Sequence, residues 1–287
     1  MSASERRSAA RLLPHELIFG AFLAVTWIRF VVVLGVGSGD ALLYLAMIAA
    51  DAALVLFCRA RPTEGRWRLR LLFHPIALNV VFAHMKGAIP KIAPERMDAA
   101  LQRIDAALVG RNLSLRMEPL VHPVLTEILS GCYILFFPYL LFSVVWYFRR
   151  DLATLKAFLV GMFTVYGLGF LGYSLVPAWG PWIAMAGEFR VALEGGPITR
   201  LNDAVVRWGS NGVDVFPSLH CALSSYFLFF DRRHTRWRFL AYLGPCVGLW
   251  VSTLYLRYHY AVDVAAGFAV SGFALWLSAR FERKGSA

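Results

Sequence analysis

Long apolar runs, separated by short basic or glycine-rich stretches, set the pattern of this chain. A helix needs roughly 20 apolar residues to cross a hydrocarbon core of about 30 Å. Eight runs approach that length: residues 16–37, 41–58, 69–85, 124–148, 155–177, 217–230, 239–256 and 260–281. The third and sixth are short, and they carry His74 and His220. Between the third and fourth runs, Met97, Leu101, Ile104, Ala107 and Leu108 recur at helical spacing, while Arg96, Arg103 and Asp105 take other positions. That spacing predicts an amphipathic helix lying on the membrane surface. The segment between the fifth and sixth runs is rich in Gly and Trp, and Trp179, Trp182 and Trp208 suit headgroup depth. No internal repeat is visible.

The pattern predicts an all-α multipass transmembrane bundle of about eight spans, with a six-helix catalytic core. Residues 1–68 form an N-terminal pair of spans, and residues 69–287 form the remaining membrane domain. Composition agrees: 59% of the 287 residues are hydrophobic and only 16% are charged. Too little charge is present to cover a soluble domain of this size. Aromatic residues at 15% argue against disorder.

The net charge of +11 is accounted for by topology. Eighteen of the 29 Lys and Arg residues cluster at one set of span ends, from Arg6, Arg7 and Arg11 through Arg59–Arg70, Arg149–Lys156 and Arg232–Arg238 to Arg280–Lys284. Ten lie on the opposite side in much longer loops. The positive-inside rule then places both termini in the cytoplasm. No nucleic-acid-binding motif is present, so nucleic acid is not an expected partner. Four cysteines, Cys58, Cys132, Cys221 and Cys246, form no CxxC pair, and metal-site or disulfide-framework readings are weak. Arg6, Arg7 and Arg11 precede an uncleaved first span rather than a signal peptide.

Three polar residues in the last third carry the candidate chemistry. His220 lies in Phe216-Pro217-Ser218-Leu219-His220, where a span begins. His259 and Asp263 are four residues apart where the last span begins, which puts both on one helix face. A carboxylate there can accept from the imidazole Nδ1–H and leave the other nitrogen more basic. By the predicted topology, both His residues lie at the non-cytoplasmic surface. Helix N-termini also favour phosphate. A phosphoryl-transfer site needs a nucleophile, a proton donor for the leaving oxygen, and groups that hold the phosphate. His259 with Asp263 meets the first need and His220 the second. Arg257, Ser218, Lys86, Lys91 and Arg116 are the candidates for the third.

Pro217-Ser218-Leu219-His220 and His259-Tyr-Ala-Val-Asp263 resemble the second and third motifs of the type 2 phosphatidic acid phosphatase superfamily, whose usual forms are PSGH and SRxxxxxHxxxD. PSLH is more similar to the branch that contains inositol phosphorylceramide synthases. Ile104-Asp105 with Val109-Gly110, and Val176 to Pro181, also resemble that branch. The strong likeness covers residues 213–268 and a weaker one residues 74–182. Two features depart from the phosphatase pattern. No KxxxxxxRP is present, and Ser252-Thr253 stands where the family has Ser-Arg, with Arg257 a partial replacement. Both departures fit the transferase branch.

The resemblance implies an integral membrane enzyme without metal or other cofactor, its site on the non-cytoplasmic face of a bacterial inner membrane or an organelle membrane. The His matching His259 attacks phosphorus, the Asp matching Asp263 holds it, and the His matching His220 protonates the departing lipid oxygen. The partners are a membrane phospholipid donor and a lipid alcohol acceptor, and the transferred group is a phospho-headgroup such as phosphoinositol. A lipid phosphate phosphatase with the same three residues is one alternative, acting on phosphatidate or a polyprenyl diphosphate. A non-enzymatic membrane transporter is another.

Smaller signals remain. Arg29 and Asp51 lie within the first two spans and are expected to pair. Asp105 reads equally well as a solvated helix face. Glu127 and Tyr133 read as bundle packing, His74 and His122 as structural residues, and Cys221 as small packing volume. Asn112-Leu113-Ser114 fits a glycosylation sequon.

Overall fold

A computed structural model describes residues 12–285. The described residues form helices joined by loops, with no strand. In chain order they are α1 (Pro14–Leu34), α2 (Gly39–Ala60), α3 (Glu64–Ile92), α4 (Asp98–Val109), α5 (Leu113–Met117), α6 (Pro123–Ile134) and α7 (Phe136–Phe148). Then follow α8 (Leu152–Leu175), α9 (Pro181–Ala184), α10 (Pro197–Gly209), α11 (Leu219–His234), α12 (Arg236–Tyr255) and α13 (Ala261–Gly285). The protein is an all-α multipass membrane bundle. The basic residues Arg6, Arg7 and Arg11 lie outside the described residues.

Local chemistry marks the helix starts. Pro14 and Pro123 occupy first turns, where a missing N–H costs nothing. Ser38, Thr63, Asp151 and Ser218 accept backbone N–H groups at four other starts. Among the described residues, six helices are long and apolar enough to cross a membrane: α1, α2, α3, α6 continued by α7, α8 and α13. This count differs from the eight expected. The sixth expected span is α11, only 16 residues long and buried along most of its length. The seventh is α12, whose 20 residues begin with the basic Arg236-Trp237-Arg238 turn. Both helices are present and packed into the bundle. The short third run is in fact a 29-residue helix.

α8 is the central post. It packs on α1, α3, α11 and α13, and Phe158, Phe163 and Phe170 are buried along it. Cross-links tie each end of the bundle. At one end Arg70 donates to buried Glu16, Arg68 donates to the Phe148 carbonyl, and Lys156 lies over Trp67. At the other end Met97 N–H donates to the Pro177 carbonyl, and Asp98 and Asp105 of α4 reach loops near Trp179 and Ala261. The second end carries the site.

Two expectations change here. Arg29 and Asp51 do not pair. The Arg29 guanidinium donates to the Ser174 carbonyl of α8, and Asp51 faces His74 at 4.0 Å. The two residues sit on faces of α1 and α2 that meet different neighbours, which helix depth alone does not show. Asp105 is fully buried, not solvated. Asn112 of the sequon is also buried, and its side-chain oxygen caps α5 through Ser114 and Leu115 N–H. Met97, just before α4, and Ile104 and Leu108 within it do stay exposed on one stripe, while Leu101 turns inward.

Candidate active site

Two adjacent helix starts build the site. Ser218 caps α11, its hydroxyl accepting from Cys221 N–H at 3.4 Å. Its own N–H donates to the Asp263 carbonyl at 3.0 Å. The first turn of α11 is therefore fastened to the first turn of α13, and His220 stands beside His259 with ring centroids 6.3 Å apart.

His259 lies two residues before α13, in the turn rather than on the helix. Its contact with Asp263 survives because the turn folds back. Tyr258 and His259 N–H both donate to the Thr253 carbonyl at 3.0 Å. Arg257 takes a left-handed φ of 68° to make that reversal. His259 Nδ1 faces Asp263 Oδ2 at 3.5 Å. The same carboxylate oxygen accepts Tyr260 N–H at 2.7 Å. Both residues are buried, Asp263 completely.

The His220 ring stacks on Tyr133, centroids 4.5 Å apart, and packs against Phe136. Its Nδ1 lies 3.4 Å from the Tyr133 hydroxyl, while its buried Nε2 has no protein partner. A buried imidazole nitrogen with no partner is costly, and it is available to a ligand oxygen. His220 also forms part of the wall of a largely apolar cavity of about 440 Å³ between α3, α6, α7, α8, α10 and α11. Tyr133, Tyr173, Ser210 and Asp214 supply its other polar groups near the site. The volume lies within the range of about 300–1,000 Å³ usual for ligand sites.

Of the expected phosphate-binding residues, Ser218 adjoins His220 but spends its hydroxyl on the cap. Arg257 turns outward. Its guanidinium donates to the Val191 carbonyl at 2.6 Å, approaches Glu118 at 3.7 Å and lies over Phe189. Burial lowers the Arg257 pKa from its ordinary value, and Glu118 opposes that shift. Val191 and Arg190 N–H groups and Arg257 hold the Glu118 carboxyl below the usual range. Arg116 donates to the Val109 carbonyl. Lys91 pairs with Asp40 at 2.7 Å, and Lys86 is exposed on the same helix. Ser252 and Thr253, standing where the resembled motif has Ser-Arg, are buried and donate to carbonyls one turn back.

Two residues that sequence reasoning left without a role shape the site from α4. Asp98 accepts Trp179 and Gly180 N–H and the Tyr260 hydroxyl. Asp105 accepts Ala261 N–H and Val262 N–H, both at 2.9 Å, and so caps α13 from another helix. Their signals in sequence are the spacing of two carboxylates seven residues apart on the amphipathic helix and, for Asp105, the Ile104-Asp105 resemblance. Glu127 does the same for α10, accepting Ile198 and Thr199 N–H. His122 caps its own helix, α6.

Gly267 holds α11 and α13 together. A Cβ there would sit 2.5 Å from the Ser218 carbonyl oxygen, a backbone atom that cannot swing away. Gly267→Ala is expected to part the two helix starts, lower activity roughly tenfold and destabilise by about 1–3 kcal/mol. Paired turnover and thermal-unfolding measurements check this. Unchanged turnover would show that the His220–His259 spacing is not critical.

The family model for the PAP2 superfamily matches residues 99–277. The chain is also 24% identical over 246 residues to the phosphoinositol dihydroceramide synthase of Bacteroides thetaiotaomicron, covering 78% of this chain and 80% of that relative. No solved structure matches. The family model spans more than half of the chain and contains both helix starts that carry His220 and His259, so this chain belongs to the PAP2 superfamily of membrane phosphatases and phosphotransferases.

Proposed function

We propose that this protein is a lipid phosphotransferase that moves a phospho-headgroup, with phosphoinositol the first candidate, from a membrane phospholipid to a lipid alcohol. The observation that carries the reading is the apposition of His220 and His259 at 6.3 Å, with His220 in the wall of an apolar cavity. That spacing leaves room for one phosphoryl group, with reacting atoms about 3–3.5 Å from each ring.

In the first half-reaction the His259 nitrogen remote from Asp263 attacks phosphorus. The bond from phosphorus to the diacylglycerol oxygen breaks, and His220 Nε2 gives that oxygen a proton. In the second, the acceptor hydroxyl loses its proton to His220 as its oxygen attacks phosphorus, and the phosphorus–nitrogen bond breaks. Asp263 holds the His259 tautomer and balances its charge. The two imidazoles and the carboxylate account for nucleophile, proton transfer and tautomer, so the reading is metal-independent. The relative's name supplies phosphoinositol and dihydroceramide as the first donor headgroup and acceptor to test. Charge asymmetry supports a site on the non-cytoplasmic face. Residues 1–68 would then be an N-terminal pair of helices braced against a catalytic membrane domain of residues 69–287.

Product analysis tests the reading. Purified protein in detergent would receive phosphatidylinositol or phosphatidate with dihydroceramide or diacylglycerol. A new inositol-containing phospholipid is the expected product. Inorganic phosphate from phosphatidate without a new lipid would make the protein a phosphatase. No turnover of any donor would count against the proposed reaction.

A further inference from the structure

The cavity beside His220 is chemically two-ended. Its long part is apolar, with walls from Leu78, Phe82, Leu141 and Met162, and it runs along helices that cross the membrane. Its short part, next to His220, holds a carboxylate. Asp214 lies in the loop just before α11, and its Oδ1 accepts the Ser210 hydroxyl at 2.8 Å. Asp214 lines the same cavity as Tyr133, Tyr173 and His220. Burial pushes the Asp214 carboxyl above its usual range, and the Ser210 hydroxyl opposes this. No lysine or arginine lines the cavity.

A carboxylate in this place repels a phosphate and attracts hydroxyl and amide donors. The anionic part of a phospholipid is thus disfavoured inside the cavity beside Asp214 and is left to the space between His220 and His259, whereas a neutral lipid alcohol fits the cavity with its chain in the apolar part. We infer that the cavity is the seat of the acceptor alcohol, and that Asp214 determines specificity by accepting from a second donor, an amide N–H or further hydroxyl, next to the reacting hydroxyl. Asp214 acts here on the substrate's neighbouring group, while His220 handles the reacting one. The inference rests on the transferase reading above for its chemistry, but not for its binding step.

A single hydrogen bond to a charged group sets the scale of the test, about 10- to 100-fold. Two acceptors would be compared with phosphatidylinositol as donor: dihydroceramide, which has an amide and a second hydroxyl, and a long-chain mono-alcohol, which has neither. Asp214→Ala is expected to raise KM for dihydroceramide about 10- to 100-fold with a smaller change in kcat. The mono-alcohol should change by less than threefold, so that the selectivity of the wild type collapses. Asp214→Asn, of the same shape, guards against a folding defect and should show a partial collapse. Equal losses with both acceptors would make Asp214 part of the general machinery and overturn the inference, as would unchanged selectivity. Retention of each alcohol by the detergent-solubilised protein, read by native mass spectrometry, supplies a measurement independent of turnover. If the wild type transfers nothing yet retains dihydroceramide in an Asp214-dependent way, the transferase reading fails and the site assignment stands. If retention does not depend on Asp214, the assignment fails whatever the chemistry.

Discussion

His259→Ala is expected to lower headgroup transfer by at least about 10²-fold and toward 10⁴-fold, the range for loss of a nucleophile or acid–base group. The reason lies in the geometry. His259 combines a buried ring, an Asp263 carboxylate facing its Nδ1 at 3.5 Å and a second imidazole 6.3 Å away that lies in the cavity wall. In the proposed mechanism alanine removes the nucleophile that attacks phosphorus. Donor binding depends on other contacts, so KM for the donor should move far less than kcat. The proposed mechanism makes His220 and His259 one unit, so the double variant His220→Ala/His259→Ala should be scarcely worse than either single variant. A donor labelled in its headgroup adds a chemical readout: acid-labile, base-stable label on the wild-type protein that disappears in His259→Ala. A His259→Ala protein that folds and keeps more than a tenth of wild-type transfer would end the proposed mechanism.

The membrane class, the helix order and the two helix starts bearing His220 and His259 were legible in the sequence because each is a local property. Run length and a motif a few residues long do not need the rest of the fold. What stayed hidden depends on partners far away in sequence. Asp98 and Asp105 look like ordinary polar positions on an amphipathic helix, yet they accept N–H groups from residues 81 to 157 positions away. Arg29 and Asp51 looked like a pair because both are charged and deep, but helix rotation sends Arg29 to the Ser174 carbonyl. Asn112 matched a sequon of three residues, and only the fold shows its side chain turned in to cap α5. The basic residues near the site read as phosphate ligands by sequence position. In the fold, Arg257 and Arg116 donate to main-chain carbonyls and Lys91 pairs with Asp40.

Asp105→Ala is expected to cost about 10²-fold in kcat without any contact between Asp105 and substrate. Asp105 is completely buried, and each of its oxygens accepts one N–H from the first turn of α13 at 2.9 Å. Alanine would leave two partly buried donors without acceptors, at about 1–3 kcal/mol each. It would also remove a negative charge from a helix N-terminus, where the dipole favours one. The protein's cheapest escape is to fray that turn toward water. Tyr260 and Asp263 belong to the same turn, so fraying moves the carboxylate away from His259. The loss should therefore fall on kcat more than on KM, and the unfolding temperature should drop. Asp105→Asn keeps one acceptor oxygen and should recover part of both. Hydrogen exchange at the Ala261 and Val262 amides separates this account from a direct role. Protection should fall in the alanine variant and partly return in the asparagine variant. Loss of turnover with full amide protection would instead give Asp105 a role of its own at the reacting centre, and turnover within twofold of wild type would remove it from the site altogether.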